Sequence, residues 1–510
     1  MRMSITKSKV RGRLSLIMGP FVLAFFLAIA AHAAVPGITG PAFKLDAAAN
    51  YITQPDGMQV YSWGYGCSAT PAGFAPYATG ASCGAMQVPG PTLIVTEGQT
   101  VTVALTNNLP SVTGNTSIVF PGFQVTATGG TPGLLAQEAA PGATVTYSFT
   151  ATTPGTHSYY SGTQPDLQIE MGLYGALIVL PKTPASNCAA IGSELGGRTD
   201  YRLAPSAYDH ASTCYDREYL FQFAEMDPRI HQQAELQVQA AQAAGATATA
   251  LNVTIEPYRA AYFLINGRSM PDDMDPSYAP NYPNQPYNGN PHMHPGELVL
   301  LRVIGQGRME HPFHEHANHV RILARDGNLI LSQTDPTKLG GPLLFTTDTF
   351  PGQAFDGIFY WSGRGLNWDI YNHQPGDGSV CNPDSNGYYT TASGAPANAP
   401  NYYEWCADHT RPLQTANGGP ATLPDPLVVT NGLWYSGSPY LGLSARNGGN
   451  VPAGQTPLPP GAADQNPEAG IAFMWHSHNE REITTNDVFP GGMMMMMLVD
   501  PPVFFIDETL

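Results

Sequence analysis

The sequence predicts an all-β protein built from two Greek-key β-sandwich domains, and three observations point to this class. Its 510 residues include 54 Gly and 47 Pro, about a fifth of the chain, which excludes long-helix and coiled-coil proteins. Hydrophobic residues make up 43% and aromatic residues 10%, too many for a disordered chain and enough to bury a large core. Short runs of alternating apolar and polar residues recur at even spacing, as they do in sandwiches.

The first 33 residues have the composition of an export signal. Five basic residues precede an apolar run over residues 16–30, and Ala31-His32-Ala33 offers small residues for cleavage before Ala34. The alternative is an uncleaved membrane anchor, but the run is short for a bilayer span. No later segment is apolar enough to cross a membrane, so we expect a mature chain that is secreted, periplasmic or held at the cell surface.

Removal of this signal makes the chain more acidic. The signal carries five of the 22 basic residues and none of the acidic ones, which leaves 17 basic against 39 acidic residues. A surface of this charge repels nucleic acid and anionic lipid and attracts cations. Nucleic-acid binding is therefore not expected, whereas a metal ion is a plausible partner.

The six cysteines fall along the chain as three local pairs. We expect disulfides between Cys67 and Cys83, Cys188 and Cys214, and Cys381 and Cys406, although six cysteines allow many other pairings. None lies in a Cys-x-x-Cys motif or near a histidine cluster, so disulfides are favoured over a thiolate metal or redox site.

The first strands are predicted between residues 40 and 181. Residues 91–106 predict two strands joined at Glu97-Gly98, and the turn at 107–110 follows them. Residues 143–151 and 175–180 predict two more. Their even spacing indicates one Greek-key sandwich over this region.

A connection rich in small residues leads from residue 181 to a second series of strands. We predict strands at 217–223, 261–265, 297–303, 320–323, 354–361, 472–475 and 493–499. The Ala- and Gln-rich residues 232–250 predict a short helix. Residues 374–468 are rich in Pro, Gly, Asn and Tyr with little periodicity, and so long a loop indicates an insertion.

Eight of the 14 histidines stand in three clusters: His292 and His294; His311, His314, His316 and His319; and His476 and His478. A His-x-His pair on a strand places both imidazoles on one face, because strand side chains repeat every two residues. Two such pairs on neighbouring strands bring four imidazoles together, and this donor set suits copper or zinc.

The residues around these clusters carry a family resemblance. Residues 311–316 read His-Pro-Phe-His-Glu-His, residues 475–478 read Trp-His-Ser-His, and a Gly-Gly-Met follows. This pattern resembles the C-terminal copper-binding segments of multicopper oxidases, the family that includes laccases and is built from cupredoxin domains. Segments at 90–101, 107–110, 154–156 and 172–179 resemble the family's first domain, and those at 264–267, 295–297 and 325–327 a later one.

The resemblance covers most of residues 85–181 and 217–361, and then 471–502. It implies a divergent two-domain member with incomplete copper ligands. We therefore expect a signal peptide at 1–33, a cupredoxin-like domain at 34–185, a linker at 186–214 and a second cupredoxin-like domain at 215–505, with the insertion at about 374–468.

The departures from the family pattern lie mainly in the first domain. The family's first domain carries two His-x-His pairs, which should fall at 119–121 and 160–162, and neither segment contains a histidine. His157 is nearby, but a shift of three residues points it to the other strand face. The family's trinuclear cluster draws half its imidazoles from each domain, so only the second-domain half is present here.

The position of the family's electron-entry copper has changed as well. The cysteine expected between the last two histidines is Ser477, and the histidine expected four residues after His478 is Glu482. A blue type 1 copper needs a cysteine thiolate and two histidines. We therefore expect no type 1 site and no ordinary laccase activity.

The resemblance assigns the metal ligands to the surviving pairs: His314, His316, His476 and His478, with His311 as a weaker candidate. Four imidazoles hold one copper ion or a close pair, with zinc as the alternative metal. Buried structural histidines, hydrogen-bonded to backbone or carboxylate, are the competing interpretation.

Each of the remaining candidate residues also has an interpretation as an ordinary structural or surface residue. His292 and His294 precede a Pro-Gly-Glu turn, where we expect solvent-facing loop residues, or else a secondary site with Met293. His319 is either an outer partner of the site or a surface residue. Glu315 and Glu482 are candidates to orient an imidazole, and for Glu315 an exposed carboxylate is favoured.

Residues 493–497 are five consecutive methionines. Thioethers bind Cu(I), but alternation predicts Met493, Met495 and Met497 on one strand face and Met494 and Met496 on the other, so adaptable core packing is favoured.

The sequence thus predicts a secreted copper-binding protein similar to multicopper oxidases, with oxidoreductase activity on metal ions or phenolic compounds as its candidate chemistry. The alternative is a metal-free or vestigial cupredoxin scaffold that acts as an extracellular binding or structural protein. A homo-oligomer is compatible with either function.

Overall fold

The computed structural model describes residues 35–76, 81–191, 200–246, 251–364, 381–396, 405–406, 471–500 and 506. The predicted signal peptide and most of the predicted insertion lie outside these ranges. Within them the all-β prediction is confirmed, because the strands form four sheets of five to seven strands and one two-stranded ribbon. Of the described residues, no helix is long and apolar enough to span a membrane.

The first half of the chain supplies the strands of the first sandwich. They are β1 (Gly37–Thr39), β2 (Ala42–Thr53), β3 (Gln59–Cys67), β4 (Phe74–Ala75), β5 (Leu93–Thr96), β6 (Thr100–Asn107), β7 (Thr126–Gly129), β8 (Thr131–Pro132), β9 (Gln137–Glu138), β10 (Thr144–Thr150), β11 (Gly155–Tyr160) and β12 (Tyr174–Leu180). A single-turn helix, α1 (Pro165–Gln168), precedes β12.

These strands form two facing five-stranded sheets, in the orders β11-β12-β5-β1-β4 and β3-β2-β6-β10-β7, and the ribbon β8-β9. The core between the sheets contains Trp63, Tyr65, Phe120, Tyr147 and Tyr159, all buried. Alternation along β6 and β10 explains this core, because every second side chain is buried in both strands.

The second sandwich takes its strands from the rest of the described chain. They are β13 (Arg217–Met226), β14 (Tyr262–Ile265), β15 (His292–Met293), β16 (Leu298–Gly305), β17 (His311–Glu315), β18 (Val320–Arg325), β19 (Asn328–Leu329), β20 (Leu343–Leu344), β21 (Thr346–Thr349), β22 (Ala354–Tyr360), β23 (Ile471–Ser477) and β24 (Met494–Val499).

A seven-stranded sheet, β14-β13-β16-β22-β18-β19 with β20 on β18, faces a five-stranded sheet, β15-β24-β23-β17-β21. Their shared core contains Phe221, Phe313, Phe359, Trp475 and Met495. The three central strands of the smaller sheet, β24, β23 and β17, carry the predicted histidine pairs and the methionine run.

The observed elements follow the predicted ones closely in type and less closely in extent. The predicted strands at 143–151 and 217–223 are β10 and β13, and β13 runs three residues further. The helix predicted at 232–250 is α2 (Pro228–Ala243), which begins earlier because Asp227 caps it and Pro228 occupies its first turn. The long hairpin β2–β3 was not predicted.

The strands of the two sandwiches separate between β12 and β13, within the region predicted as a linker. The domain limits at 185/186 and 214/215 stay predictions. All three predicted disulfides are confirmed: Cys67–Cys83, Cys188–Cys214 and Cys381–Cys406.

Two buried contacts fix the sandwiches against each other. The carboxylate of Asp356 on β22 accepts hydrogen bonds from Tyr208 and from the backbone and side chain of Thr156 on β11. At Gly267, which has φ +83°, an added Cβ would lie 2.1 Å from the carbonyl oxygen of Val88 in the first sandwich. Glycine is required there by both its backbone conformation and this close approach.

Candidate metal centre

Strand pairing brings the predicted ligand pairs together. β17 pairs with β23 in antiparallel register, and His314 lies directly opposite His476. His316 follows the end of β17, where Ala317 takes a positive φ of 83° and turns the chain. The prediction that two neighbouring strands carry the imidazoles is therefore borne out by this register.

Three of the four predicted ligands form a compact group. One ring nitrogen from each of His314, His316 and His476 lies within 4.8 Å of the others, and all three side chains are buried. The Nε2 atoms of His316 and His476 are 3.2 Å apart. Two ligands on one tetrahedral ion with metal–nitrogen bonds of 2.0–2.1 Å are about 3.3 Å apart, so this spacing fits a single ion.

His478 lies at the rim of this group. Its side chain is 49% exposed, and its Nδ1 is 3.2 Å from a carboxylate oxygen of Glu480. Its ring centroid is nevertheless 4.6 Å from that of His314. His478 therefore lies on the solvent side of the buried imidazoles, next to His314.

The electrostatic surroundings keep the buried imidazoles neutral. Burial, together with the neighbouring His478 and His476, lowers the pKa of His314 to about 4. Burial and the same crowding of histidines lower the pKa of His316 to about 3, and burial lowers the pKa of His476 as well. Neutral imidazole is the form that binds a metal ion. At neutral pH a metal ion can therefore bind these rings without first displacing a proton.

Polar neighbours orient two of the rings. Nδ1 of His476 donates to the carbonyl oxygen of Ser477 at 2.7 Å, which leaves the lone pair of its Nε2 directed at the group. Nδ1 of His314 lies 2.6 Å from the hydroxyl of Thr346 on β21. Such partners fix the tautomer and the angle of metal-binding histidines.

His311, the weaker candidate, lies in a different environment. Its Nε2 is 3.0 Å from a carboxylate oxygen of Glu225 and its Nδ1 is 2.8 Å from one of Glu482. The hydroxyl of Ser477 also donates to Glu482. Burial lowers the pKa of His311, but the two carboxylates outweigh it and raise the pKa to about 9.

Ser477 and Glu482 occupy the two positions at which the resemblance places ligands of the electron-entry copper. Both ring nitrogens of His311 already have carboxylate partners, so the ring is held as an imidazolium and not presented to a metal. Glu482 does orient an imidazole, as predicted for it, but that imidazole is His311. Glu225 was missed by the sequence analysis, because it lies on β13, 86 residues before His311.

The first-sandwich segments that lack ligands still lie side by side. Val119 and Tyr160 form an antiparallel bridge, with the amide of Val119 donating to the carbonyl of Tyr160 at 2.8 Å. Phe120 packs in the core, and Ser161 donates to Gln168 at 2.6 Å. His157 contacts the carbonyl of Thr153 at 2.9 Å. The two segments are therefore paired through their backbones, but neither carries an imidazole.

Two expectations for other residues were wrong. His292 and His294 are not solvent-facing but buried, and their Nδ1 atoms contact Asp500 and Glu297 at 2.7 and 3.0 Å. Met293 points into the core between them, so the three residues do not share a site.

The second wrong expectation concerns the exposure of Glu315. Its carboxylate is fully buried instead of exposed, accepts a hydrogen bond from Thr347, and has its pKa raised to about 8 by burial. His319 is half-buried, with its ring 5.1 Å from that of Phe345.

Part of this chain is similar to a known protein family. The sequence profile of the multicopper oxidase family matches residues 81–184. This segment therefore resembles multicopper oxidases. The matched region lies in the first sandwich, the part of the chain in which the expected histidine pairs are missing.

Curated relatives match over similar lengths. The multicopper oxidase MCE of Talaromyces pinophilus is 37% identical over 99 residues, which are 19% of this chain and 16% of the relative. The copper-containing nitrite reductase of Neisseria meningitidis is 41% identical over 96 residues, 19% of this chain and 24% of the relative. The matches thus span a quarter or less of these relatives' own lengths.

Among solved structures, the blue copper oxidase from Nitrosomonas europaea superposes on 89% of this multicopper oxidase-like chain and on 85% of its own length, with 16% identity and a TM-score of 0.46.

Proposed function

We propose that the protein is an exported copper-binding protein with one mononuclear centre in its second sandwich. His314, His316 and His476 hold the ion, and His478 supplies a fourth ligand from the rim. The observation that carries this proposal is the convergence of three buried ring nitrogens within 4.8 Å of one another. The tautomer fixed on His476 and the neutral charge of all three rings support the same conclusion.

Copper is favoured over zinc for two reasons. Imidazole binds both metals, but divalent copper binds nitrogen donors more tightly than zinc does. The multicopper oxidase match over residues 81–184 also supports copper. A bound copper ion supplies one-electron redox chemistry at this position.

The residues around the centre set the limits of that chemistry. The exposed side of His478 leaves the ion reachable by a small reductant, such as a reduced metal ion or a phenol. Ser477 stands at the thiolate position, and the segments where the first-domain histidine pairs should fall, 119–121 and 160–162, contain no histidine. We therefore propose slow one-electron oxidation of such compounds, in which a bound Cu(II) ion would accept the electron and dissolved oxygen would then take it up in single-electron steps. The four-electron reduction of oxygen that a laccase performs is not expected.

The proposed location is outside the cytoplasm. Residues 1–33 have the composition of a signal peptide, and three disulfides tie the chain. Disulfides persist in oxidising compartments, so secretion, the periplasm and the cell surface are all compatible locations.

The test is copper content per chain after loading with Cu(II) and removal of loose metal. We expect one tightly held equivalent in the wild type and none in His316→Gln, because glutamine removes a ring nitrogen at the centre of the group. His319→Gln is the matched control, since His319 follows three residues later, is only half-buried, and should leave the copper content unchanged.

Two results would contradict the proposal. A wild-type chain that retains no copper would favour the metal-free scaffold function. A strong blue thiolate absorption band would also contradict it, because all six cysteines are paired in disulfides. Oxygen consumption with a phenol or a reduced metal ion then measures whether the loaded centre turns over.

A further inference from the structure

The methionine run of β24 lies next to the histidine centre, and its side chains divide between two faces. β23 and β24 pair in antiparallel register, with His476 opposite Met494 and Met474 opposite Met496. Met493, Met495 and Met497 belong to the buried core, as alternation predicted. Met494 and Met496 therefore project from the opposite face of the sheet, the face that carries His476 and His314.

The hydrogen-bond pattern between β23 and β24 shows how closely the opposed side chains approach each other. The amide of Ser477 donates to the carbonyl of Met493, so hydrogen-bonded and non-hydrogen-bonded pairs alternate from that point. His476–Met494 and Met474–Met496 are thus non-hydrogen-bonded pairs, in which the Cα atoms are about 4.5 Å apart and the side chains are closest. Three thioethers and one imidazole consequently form a two-by-two block.

A further methionine sulfur contacts the backbone of β24, while its side chain packs against the buried core. The amide of Met496 points away from β23 and lies 3.3 Å from the Sδ atom of Met274. Met274 comes from the short 3₁₀ turn at 272–274 and is half-buried. The sulfur of a residue more than 200 positions away in sequence is thereby brought to the strand that carries Met494 and Met496.

Core packing explains the inner methionines but not the outer ones. Met493, Met495 and Met497 are fully buried, and adaptable side chains fill such a core well. On the outer face Met474 and Met496 are only half-buried, while Met494 is buried between them and His476. An unbranched, flexible residue is a poor choice for a half-buried strand position, where β-branched and aromatic residues are favoured.

We infer that this outer face is a second metal site, specific for Cu(I) and held by the thioethers of Met474, Met494 and Met496. Soft thioether sulfur selects Cu(I) over the harder divalent ions, which prefer imidazole and oxygen. Thioethers carry no proton to lose, so this site binds its ion independently of pH, unlike a histidine site. The half-buried sulfurs of Met474 and Met496 give the ion a path from solvent.

The site is separate from the centre of the proposed function, although His476 borders both. Both ring nitrogens of His476 are already engaged, Nδ1 by the carbonyl of Ser477 and Nε2 by His316. Loss of the histidine centre should therefore leave Cu(I) binding intact.

The experiment is an anaerobic competition for Cu(I) against a chromophoric Cu(I) chelator, using the full chain. Replacement of both half-buried thioethers, Met474→Leu with Met496→Leu, keeps the side-chain volume and the fold. We expect Cu(I) affinity to fall by about 10- to 100-fold or more. Loss of an outer partner alone costs a metal site that much, and here two ligands are removed. X-ray absorption of the Cu(I)-loaded wild type should show sulfur neighbours.

The matched control is the double replacement Met495→Leu with Met497→Leu, which changes two methionines of the same strand on the core face. It should bind Cu(I) as the wild type does, and so should His316→Gln, which lacks the Cu(II) centre. The inference is overturned if the wild type binds no Cu(I), if only nitrogen neighbours are seen, if both methionine doubles lose Cu(I) equally, or if His316→Gln loses it.

Discussion

At the residue scale, the most informative feature is the buried group formed by Glu225, His311, Ser477 and Glu482. Two carboxylates flank one imidazole, and a serine hydroxyl donates to the carboxylate on its Nδ1 side. The charge of the imidazolium offsets part of the cost of burying the carboxylates. The family's thiolate position has thus become part of a hydrogen-bonded network that holds the fold together.

This geometry predicts that a type 1 site can be rebuilt by two substitutions. Ser477 and His311 both contact the same carboxylate oxygen of Glu482. Ser477→Cys with Glu482→His therefore places a thiol and a second imidazole beside Nδ1 of His311, the donor set of blue copper. We expect an intense blue absorption band when Cu(II) is added to this variant.

The single variant Ser477→Cys is the control for the blue-band experiment, because it lacks the second imidazole and should give no stable blue colour. A double variant that folds but stays colourless with Cu(II) would show that the two positions do not converge on one ion.

A second residue-scale prediction concerns Glu170, which is buried between the sandwich core and α2. Burial, reinforced by the negative charge of Glu225, raises the pKa of Glu170 from its ordinary 4.5 to about 8. The folded chain keeps a proton there that the unfolded chain releases, so this group lowers the free energy of unfolding as pH rises from about 4.5 to about 8. In Glu170→Gln this pH-dependent loss should disappear.

Thermal unfolding of the wild type and Glu170→Gln at pH 5 and pH 8.5 measures this effect. The amide can still accept from the backbone of Asp227 and pair with the hydroxyl of Tyr258. The Tm of the variant relative to wild type should therefore rise by several degrees between the two pH values. An equal difference at both would mean that Glu170 is ionised throughout.

At the element scale, the pairing of β17, β23 and β24 determines which donors share a face. His314, His476 and Met494 occupy directly opposed positions on three consecutive strands. Because side chains alternate, a one-residue slip of β23 would send the imidazole of His476 into the core. The aromatic core residues Phe313 and Trp475 hold this register from the other face.

The helix α2 gives an element-scale prediction. Asp227 is buried, and its carboxylate caps the helix by accepting from the amide of Arg229 while it also accepts from the amide of Arg259. Asp227→Ala should lower the free energy of unfolding by about 1–2 kcal/mol, the cost of a lost N-cap. Asp227→Asn keeps the capping oxygen and should cost clearly less in a urea unfolding titration.

If the alanine and asparagine variants unfold at the same urea concentration, the cap does not stabilise this helix. If Asp227→Ala destabilises α2, it should also weaken the packing of the first sandwich, because Ile230 and Ala234 of α2 pack into its core.

At the scale of the whole molecule, one buried carboxylate connects the two sandwiches. Asp356 is 1% exposed, accepts from Thr156 and Tyr208, and lies 3.6 Å from Arg302. Asp356→Ala leaves the Tyr208 hydroxyl and the Thr156 amide without their acceptor, whereas Arg302 keeps its ion pair with Glu218. We expect a loss of about 1–3 kcal/mol in the free energy of unfolding for each buried donor left unpaired.

Asp348→Ala is the matched control for the Asp356 substitution, since Asp348 lies on β21 and is half-buried away from this network. It should cost far less in the same denaturant titration. Similar losses in the two variants would mean that Asp356 does not hold the sandwiches together.

The candidate site could be predicted from sequence only as far as local spacing reaches. The His-x-His pattern predicted imidazoles on one strand face, and His314 and His476 do meet. Spacing gave no information on the depth of each position, so it did not separate the exposed His478 from the buried His316, or place Glu315 in the core. Local spacing also could not predict the carboxylates around His311, because Glu225 and Glu482 lie 257 residues apart in the sequence.

The sequence by itself determined the all-β class, the three disulfides, the alternation of the methionines and the pairing of histidines, because each depends on composition or on a short period along the chain. Only the tertiary structure decided which imidazoles converge, which ring is held as an imidazolium between two carboxylates, and which methionines share the histidine face. The physical reason is that burial and electrostatic surroundings arise from strand register and long-range packing, which connect residues that no local pattern links.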